Sequence, residues 1–252
     1  MEPSGPPAFV ALPQRTRESI VAELRQTTQF AYDHAVPIII SLPPKANAPK
    51  LLRSATAFLV QPNEQIYLGT ADHVWRSYLR RKADGESVVC QVGTLLLDEA
   101  RAAPIRDITY DLAFFPISRD EAAKVGATLS TAVAGWPPPV PSVGSFVSFA
   151  GCPEYRRNHD SQSHVGFGTF GSIMEVTAVA EHHIVCQFQR DMWVTYGFEL
   201  PPSPGDDLSG MSGGPAFSLA SPLSMPMIGL ISEFSSNLEL LYINHFAHVQ
   251  LA

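Results

Sequence analysis

A chain of 252 residues, 45% apolar and only 16% charged, buries a sizeable core and is neither a disordered tail nor a highly charged interaction module. Its formal net charge of −7, with 17 Lys plus Arg, excludes the concentrated positive charge that phosphate binding needs, so no nucleic-acid partner is expected. The longest apolar runs, such as Val36 to Leu42, are far too short to span a bilayer, so no membrane association is expected either. Cys90, Cys152 and Cys186 are odd in number and widely spaced, giving neither a Cys-x-x-Cys pair nor an even disulfide framework. Met1 to Pro13 lacks a basic stretch followed by an apolar one. Together these features point to a cytoplasmic chain.

Residues 1–13 carry four prolines and read as a loose arm. From Arg15 to about Tyr32 the pattern is helical, with Ile20, Val21, Leu24, Thr28 and Ala31 on one side and Thr16 placed to cap the start. Residues 1–35 are therefore an N-terminal arm and helix. After Pro37 the texture is all-β. Ile38 to Ile40, Ala55 to Val60, Gln65 to Gly69, Ser87 to Leu97 and Asp111 to Pro116 are short β-branched or aromatic runs, punctuated by Pro, Asn, Gly and Asp. Arg76, Arg80, Arg81 and Lys82 form the densest basic group and read as a solvated loop. Gly135-Trp136-Pro137-Pro138-Pro139-Val140-Pro141 cannot pair within a sheet and reads as a stiff connector. Strands resume at Phe146 to Phe149, Gly166 to Val176, Ile184 to Gln189, Gly214 to Phe217 and Met227 to Ser232. Two β-rich halves follow from this, residues 36–136 and 137–252.

Three segments carry chemistry. In Ser209-Gly210-Met211-Ser212-Gly213-Gly214-Pro215, glycines flank a serine, so the backbone turns tightly and two N–H groups point into one spot. A serine hydroxyl needs a base before it attacks. Leu68-Gly69-Thr70-Ala71-Asp72-His73-Val74 supplies one, with His73 at the end of an expected strand. Tyr110-Asp111-Leu112-Ala113-Phe114-Phe115-Pro116 places a carboxylate just before a buried-looking strand. The segments come in the order His, Asp, Ser.

Through Thr-Ala-Asp-His, Asp-Leu-Ala-Phe-Phe and Gly-Met-Ser-Gly-Gly-Pro, the chain resembles the chymotrypsin/trypsin-like serine peptidases, including their bacterial and HtrA-like members. Weaker echoes in Thr56 to Val60, Gly144 with Val147, Gly151-Cys152-Pro153 and Gly229 to Ser232 extend the resemblance over about residues 38–235. It implies an all-β fold of two six-stranded barrels, one carrying His73 and Asp111 and the other Ser212. It also implies a triad in which Ser212 attacks, His73 is general base and then general acid, and Asp111 orients the imidazole. The oxyanion hole is then built from the N–H groups of Gly210 and Ser212, and no cofactor is needed. Ser232 falls where relatives often place a hydroxyl beside the triad aspartate.

Departures from the family set limits. Met211 stands where secreted digestive relatives carry an aspartate that receives a new N-terminus, which argues against activation by N-terminal insertion. Asp206 has the offset of a trypsin-like pocket-floor carboxylate, whereas Phe234 replaces a glycine that lines an open pocket wall. Basic and small residues both stay open as the preferred side chain. The expected activity is a serine endopeptidase acting on protein or peptide. A catalytically silent trypsin-fold binding module and an esterase using the same triad are the alternatives.

Other arrangements fit less well. Gly210-Met211-Ser212-Gly213-Gly214 also satisfies G-x-S-x-G, but α/β-hydrolases need the order Ser, acid, His and alternating helices. The pairs His182 with His183, His159 with His164, and His245 with His248 lack further ligands at a metal-site spacing, so no metal is expected.

Overall fold

The computed structural model describes residues 5–42, 52–98, 103–131, 135–159, 165–188, 194, 202–203, 206, 208–220 and 224–251. Gln189, His164 and Asp207 from the sequence analysis lie outside the described residues, as does the side chain of His159.

The expected helix is present and slightly longer. A short α1 (Pro7–Val10) precedes α2 (Gln14–His34), whose buried positions Val21, Thr28, Ala31 and His34 share one face. Thr16 is not its cap. The N-cap is Pro13, whose carbonyl accepts the Thr16 N–H at 3.0 Å, so the fixed φ of proline starts the helix without a side-chain cap. Helix α2 packs on strands of the second half of the chain, with Phe30 edge-on to Phe217 at 5.0 Å between ring centroids.

The first sheet contains β1 (Val36–Ser41), β2 (Leu52–Gln61), β3 (Ile66–Ala71), β4 (Val89–Val92), β5 (Leu95–Leu97), β6 (Ile105–Asp107), β7 (Leu112–Ile117) and β8 (Leu129–Thr131). Their order is β5-β4-β1-β2-β3-β7-β6, with β8 parallel to β2. The sheet therefore has eight strands rather than six. Among the described residues it curls without closing, because its two end strands have three residues each and β6 is exposed throughout. The expected run Ser87 to Leu97 splits at Gly93, whose φ is +56° and whose Cβ position is blocked by the Lys124 carbonyl. Only glycine makes that turn against another backbone.

Two helices were not expected in this half. Helix α3 (Asp72–Ala83) starts directly after β3 and carries His73, together with the basic group that sequence reading assigned to a loop. Its buried residues Val74, Trp75 and Tyr78 face the core, and Trp75 stacks edge-on to Phe115 at 4.8 Å. Arg80 and Lys82 are exposed as expected, whereas Arg76 pairs with Asp72 and the partly buried Arg81 with Glu86. Helix α4 (Arg119–Val125) opens on a full capping box between Ser118 and Glu121 and ends at Gly126, φ +81°.

The second sheet is a closed barrel of β9 (Phe146–Gly151), β12 (Phe170–Val179), β13 (His183–Gln187), β16 (Leu240–His245), β15 (Met227–Ser235) and β14 (Pro215–Ser218), in the order β12-β13-β16-β15-β14-β9. A separate hairpin pairs β10 (Arg157–His159) with β11 (Val165–Phe167). The expected strand Gly166 to Val176 is thus two strands, broken where Gly168 donates to the Arg156 carbonyl. Strand β16, absent from the sequence reading, closes the barrel by pairing with both β13 and β15. Its burial alternates, with Leu241, Ile243 and His245 inside. The architecture is all-β, and the expected pair of six-stranded barrels is one closed six-stranded barrel and one curled eight-stranded sheet. The two meet through aromatic rings, Phe246 lying 5.9 Å from Phe58 and 5.6 Å from Phe114.

The three cysteines are free and buried, and burial pushes each thiol up to about 12. No helix of the described residues is long and apolar enough to cross a membrane.

Candidate active site

The structure brings His73, Asp111 and Ser212 to the junction of the two sheets. His73 is the second residue of α3, two positions beyond the end of β3, the strand end where sequence reading put it. Asp111 sits in the turn before β7 at φ +52°, a left-handed conformation that Asp tolerates better than most side chains. Three bonds hold it there. Its carbonyl accepts the Asp72 N–H at 3.0 Å, its Oδ1 accepts the His73 N–H at 2.8 Å, and its Oδ2 faces His73 Nδ1 at 2.7 Å. A carboxylate only accepts, so Nδ1 carries the proton and Nε2 is left as a base. From the far side, Asn244 of β16 donates to the Tyr110 carbonyl at 2.7 Å and anchors the same turn.

Ser212 lies on a tight turn that glycine makes possible. Gly210 and Gly213 have φ of +96° and +86°, and their Cβ positions are blocked by the carbonyls of Cys152 and Thr56. Met211 packs into the core of the closed barrel. The Ser209 carbonyl accepts the Glu154 N–H at 2.7 Å, so the planar trans peptide turns the Gly210 N–H the opposite way. Among the described residues neither the Gly210 nor the Ser212 N–H has an acceptor. The Ser212 hydroxyl donates to the Ser232 carbonyl at 3.3 Å.

Two cavities meet at His73. One, of about 460 Å³, is lined by His73, Ser212, Gly210, Ser209, Glu154 and Arg53, among others. The other, of about 530 Å³, is lined by His73, Asp111, His183, Ser232, Glu233 and Tyr242, with Asn244. Ser232 occupies a β-bulge between Ile231 and Glu233, which frees its backbone from the ladder and aims its carbonyl at Ser212. Its hydroxyl donates to the Tyr242 carbonyl at 3.2 Å rather than to Asp111.

The two specificity candidates line neither of these cavities. Asp206 closes a local turn, accepting the Ser203 N–H at 2.6 Å, and lines neither cavity. Phe234 packs edge-on to Phe188 at 5.0 Å, against the core of the closed barrel, and lines neither cavity. Among the described residues no group of His, Cys, Asp or Glu is arranged to hold a metal ion.

Sequence reading missed two supports. Thr56 of β2, fully buried, donates its hydroxyl to the Gly210 carbonyl at 2.8 Å and accepts the Cys152 N–H at 2.9 Å. Its own N–H donates to the Ser212 carbonyl at 2.9 Å, so one threonine stitches the serine turn to the first sheet. Asp72, also fully buried, is held by Arg106 and Arg76. A signal for this pair was present in the sequence, since Asp72 and Arg76 have the i,i+4 spacing of a helical ion pair.

No protein-family model matches the chain, and no curated protein matches it in sequence. Among solved structures it is similar to a thermostable serine protease from an extremophilic microorganism, at 14% identity over 86% of this chain and 93% of that one, with a TM-score of 0.47. It is also similar to a protease from Arthrobacter nicotinovorans, at 15% identity over 85% and 90% with a TM-score of 0.44. A Glu endopeptidase shares 13% identity over 83% and 85%, with a TM-score of 0.45. Identities this low do not transfer side-chain roles.

Proposed function

We propose that the chain is a serine endopeptidase that hydrolyses peptide bonds through an acyl-enzyme on Ser212. The observation that carries this reading is the His73 Nδ1 to Asp111 Oδ2 contact of 2.7 Å, beside a cavity that His73 shares with Ser212. In the proposed reaction the Ser212 hydroxyl rotates from the Ser232 carbonyl towards His73 Nε2. Its oxygen attacks the scissile carbonyl while the imidazole takes the proton. Asp111 stabilises the imidazolium, which then protonates the leaving amine. The N–H groups of Gly210 and Ser212, without an acceptor among the described residues, receive the oxyanion. Water repeats the sequence on the ester and releases the acid.

The silent-module reading has one observation in its favour, the Ser212 hydroxyl bonded to a carbonyl and not to the base. A fluorophosphonate probe separates the two, because only an activated serine is phosphonylated. Labelling of the wild type, lost in Ser212→Ala, is the expected result. Absence of wild-type labelling would sink the hydrolase. A peptide-library digest and a panel of simple esters then separate peptidase from esterase.

A further inference from the structure

Beside the proposed triad lies a set of charges that the triad itself does not require. Asp72, first residue of α3 and immediately before His73, is 0% exposed. A buried carboxylate is costly unless it is paired. Arg106 of β6 holds it side-on, Nε at 2.5 Å from Oδ1 and Nη2 at 3.2 Å from Oδ2, and Asp72 in turn holds Arg106 more firmly protonated than usual. Arg76, one helical turn after Asp72, places Nε 2.8 Å from Oδ2 of the same carboxylate. That leaves the other end of its guanidinium projecting towards the triad, with Nη2 3.8 Å from Asp111 Oδ1. Oδ1 is the oxygen that does not meet the imidazole; it accepts the His73 N–H, and Arg76 stands off it as an ion pair rather than a hydrogen-bond donor.

We propose that Arg76, aimed by the buried Asp72–Arg106 pair, is a positioning residue for Asp111. It secures Oδ1, keeps Oδ2 turned to His73, and sets the charge that the imidazole feels. The inference rests on the triad reading above. Other charged or titratable groups face this point as well: Glu233 of β15, His183 of β13 and Tyr242 of β16 across one cavity, and Arg53 and Glu154 across the other. Among the described residues Arg76 is the one Lys or Arg in ion-pair contact with Asp111. A fixed cation opposes a second positive charge on the ring. Removing the cation moves the ring titration up, and restoring it with lysine moves it back.

The test follows the rate of fluorophosphonate labelling against pH, together with the NMR titration of the His73 ring, assigned by its loss in His73→Gln. Arg76→Gln leaves Asp72 with the side-on Arg106, so the helix start is retained. In Arg76→Gln both midpoints are expected to rise by about half a pH unit or more, the scale of a unit charge a few ångströms away near a surface. That makes labelling below the midpoint about threefold slower. Arg76→Lys should restore most of the wild-type midpoint. Arg106→Gln, which loosens the pair that aims Arg76 without removing the cation itself, should lower thermal stability and move the midpoint in the same direction by less than Arg76→Gln. Unmoved midpoints in Arg76→Gln overturn the proposal. So does an equal shift in Arg76→Lys or Arg106→Gln, which would reveal distortion rather than charge. Failure of the wild type to label overturns the hydrolase reading instead, and the ring titration still decides the role of Arg76.

Discussion

Thr56 donates its hydroxyl to the Gly210 carbonyl at 2.8 Å, across 154 residues of sequence, and so holds the serine turn against the first sheet. The same oxygen accepts the N–H of Cys152, which is fully buried, and Gly210 is buried as well. Thr56→Val keeps the shape but leaves a buried carbonyl and a buried N–H unpaired. We expect a loss of about 2–4 kcal/mol in urea unfolding, one or two unsatisfied groups' worth. Thr56→Ser should recover most of it. Fluorophosphonate labelling should fall in Thr56→Val even at temperatures where the fold persists. A Thr56→Val protein with wild-type stability would show that the turn is held by other contacts.

Ser212→Ala and Asp111→Asn separate nucleophile from orienter. Ser212→Ala should abolish labelling and hydrolysis with the unfolding midpoint nearly unchanged, since the hydroxyl makes one long bond at 3.3 Å. Asn tolerates the φ of +52° at position 111, so Asp111→Asn tests charge and tautomer without backbone strain. We expect turnover to fall by about four orders of magnitude, because the amide favours the wrong imidazole tautomer. A fall of tenfold or less would place the orienting carboxylate elsewhere.

Helix α2 packs through Val21, Ala31 and Phe30 onto strands of the closed barrel, and Phe30 meets Phe217 directly. Deleting residues 1–34 should therefore lower thermal stability and raise aggregation, with no gain in labelling rate. Comparing intact and trimmed protein by calorimetry and probe labelling checks both. Activation on trimming would make the helix an inhibitory segment.

His34 and His245 are buried, and burial pushes the pKa of each below its usual value near 6.5. A base whose folded pKa is depressed binds its proton more readily in the unfolded chain. Stability is then full above about pH 6.5 and is lost as pH falls towards the folded pKa values. Urea unfolding at pH 7.5, 6.5 and 5.5 should show this decline. His34→Leu, which keeps an apolar side chain against Phe30 and Phe217, should flatten the slope. An equally steep slope in His34→Leu would assign the effect to other groups.

Local pattern carries much of this molecule. The helical spacing of Val21, Thr28 and Ala31 marks α2, and the β-branched runs from Ile38 onward mark most strands. The order of His73, Asp111 and Ser212 is equally plain in the chain. Strand β16 was legible too, through the alternation of Leu241, Ile243 and His245, although the reading passed over it. Helix α3 was legible as well, in the i,i+4 spacing of Val74 with Tyr78 and of Asp72 with Arg76, but the basic group Arg76 to Lys82 suits a solvated loop equally, and packing of Trp75 against Phe115 selects the helix. Closure of one barrel and not the other was decided by tertiary structure. So were the stitching of Gly210 to Thr56, the burial of Asp72 between two arginines, and the places of Asp206 and Phe234 away from the cavities. Each of these depends on which distant segment returns to meet a residue. Periodicity states which face of an element is buried, but not the partner that buries it.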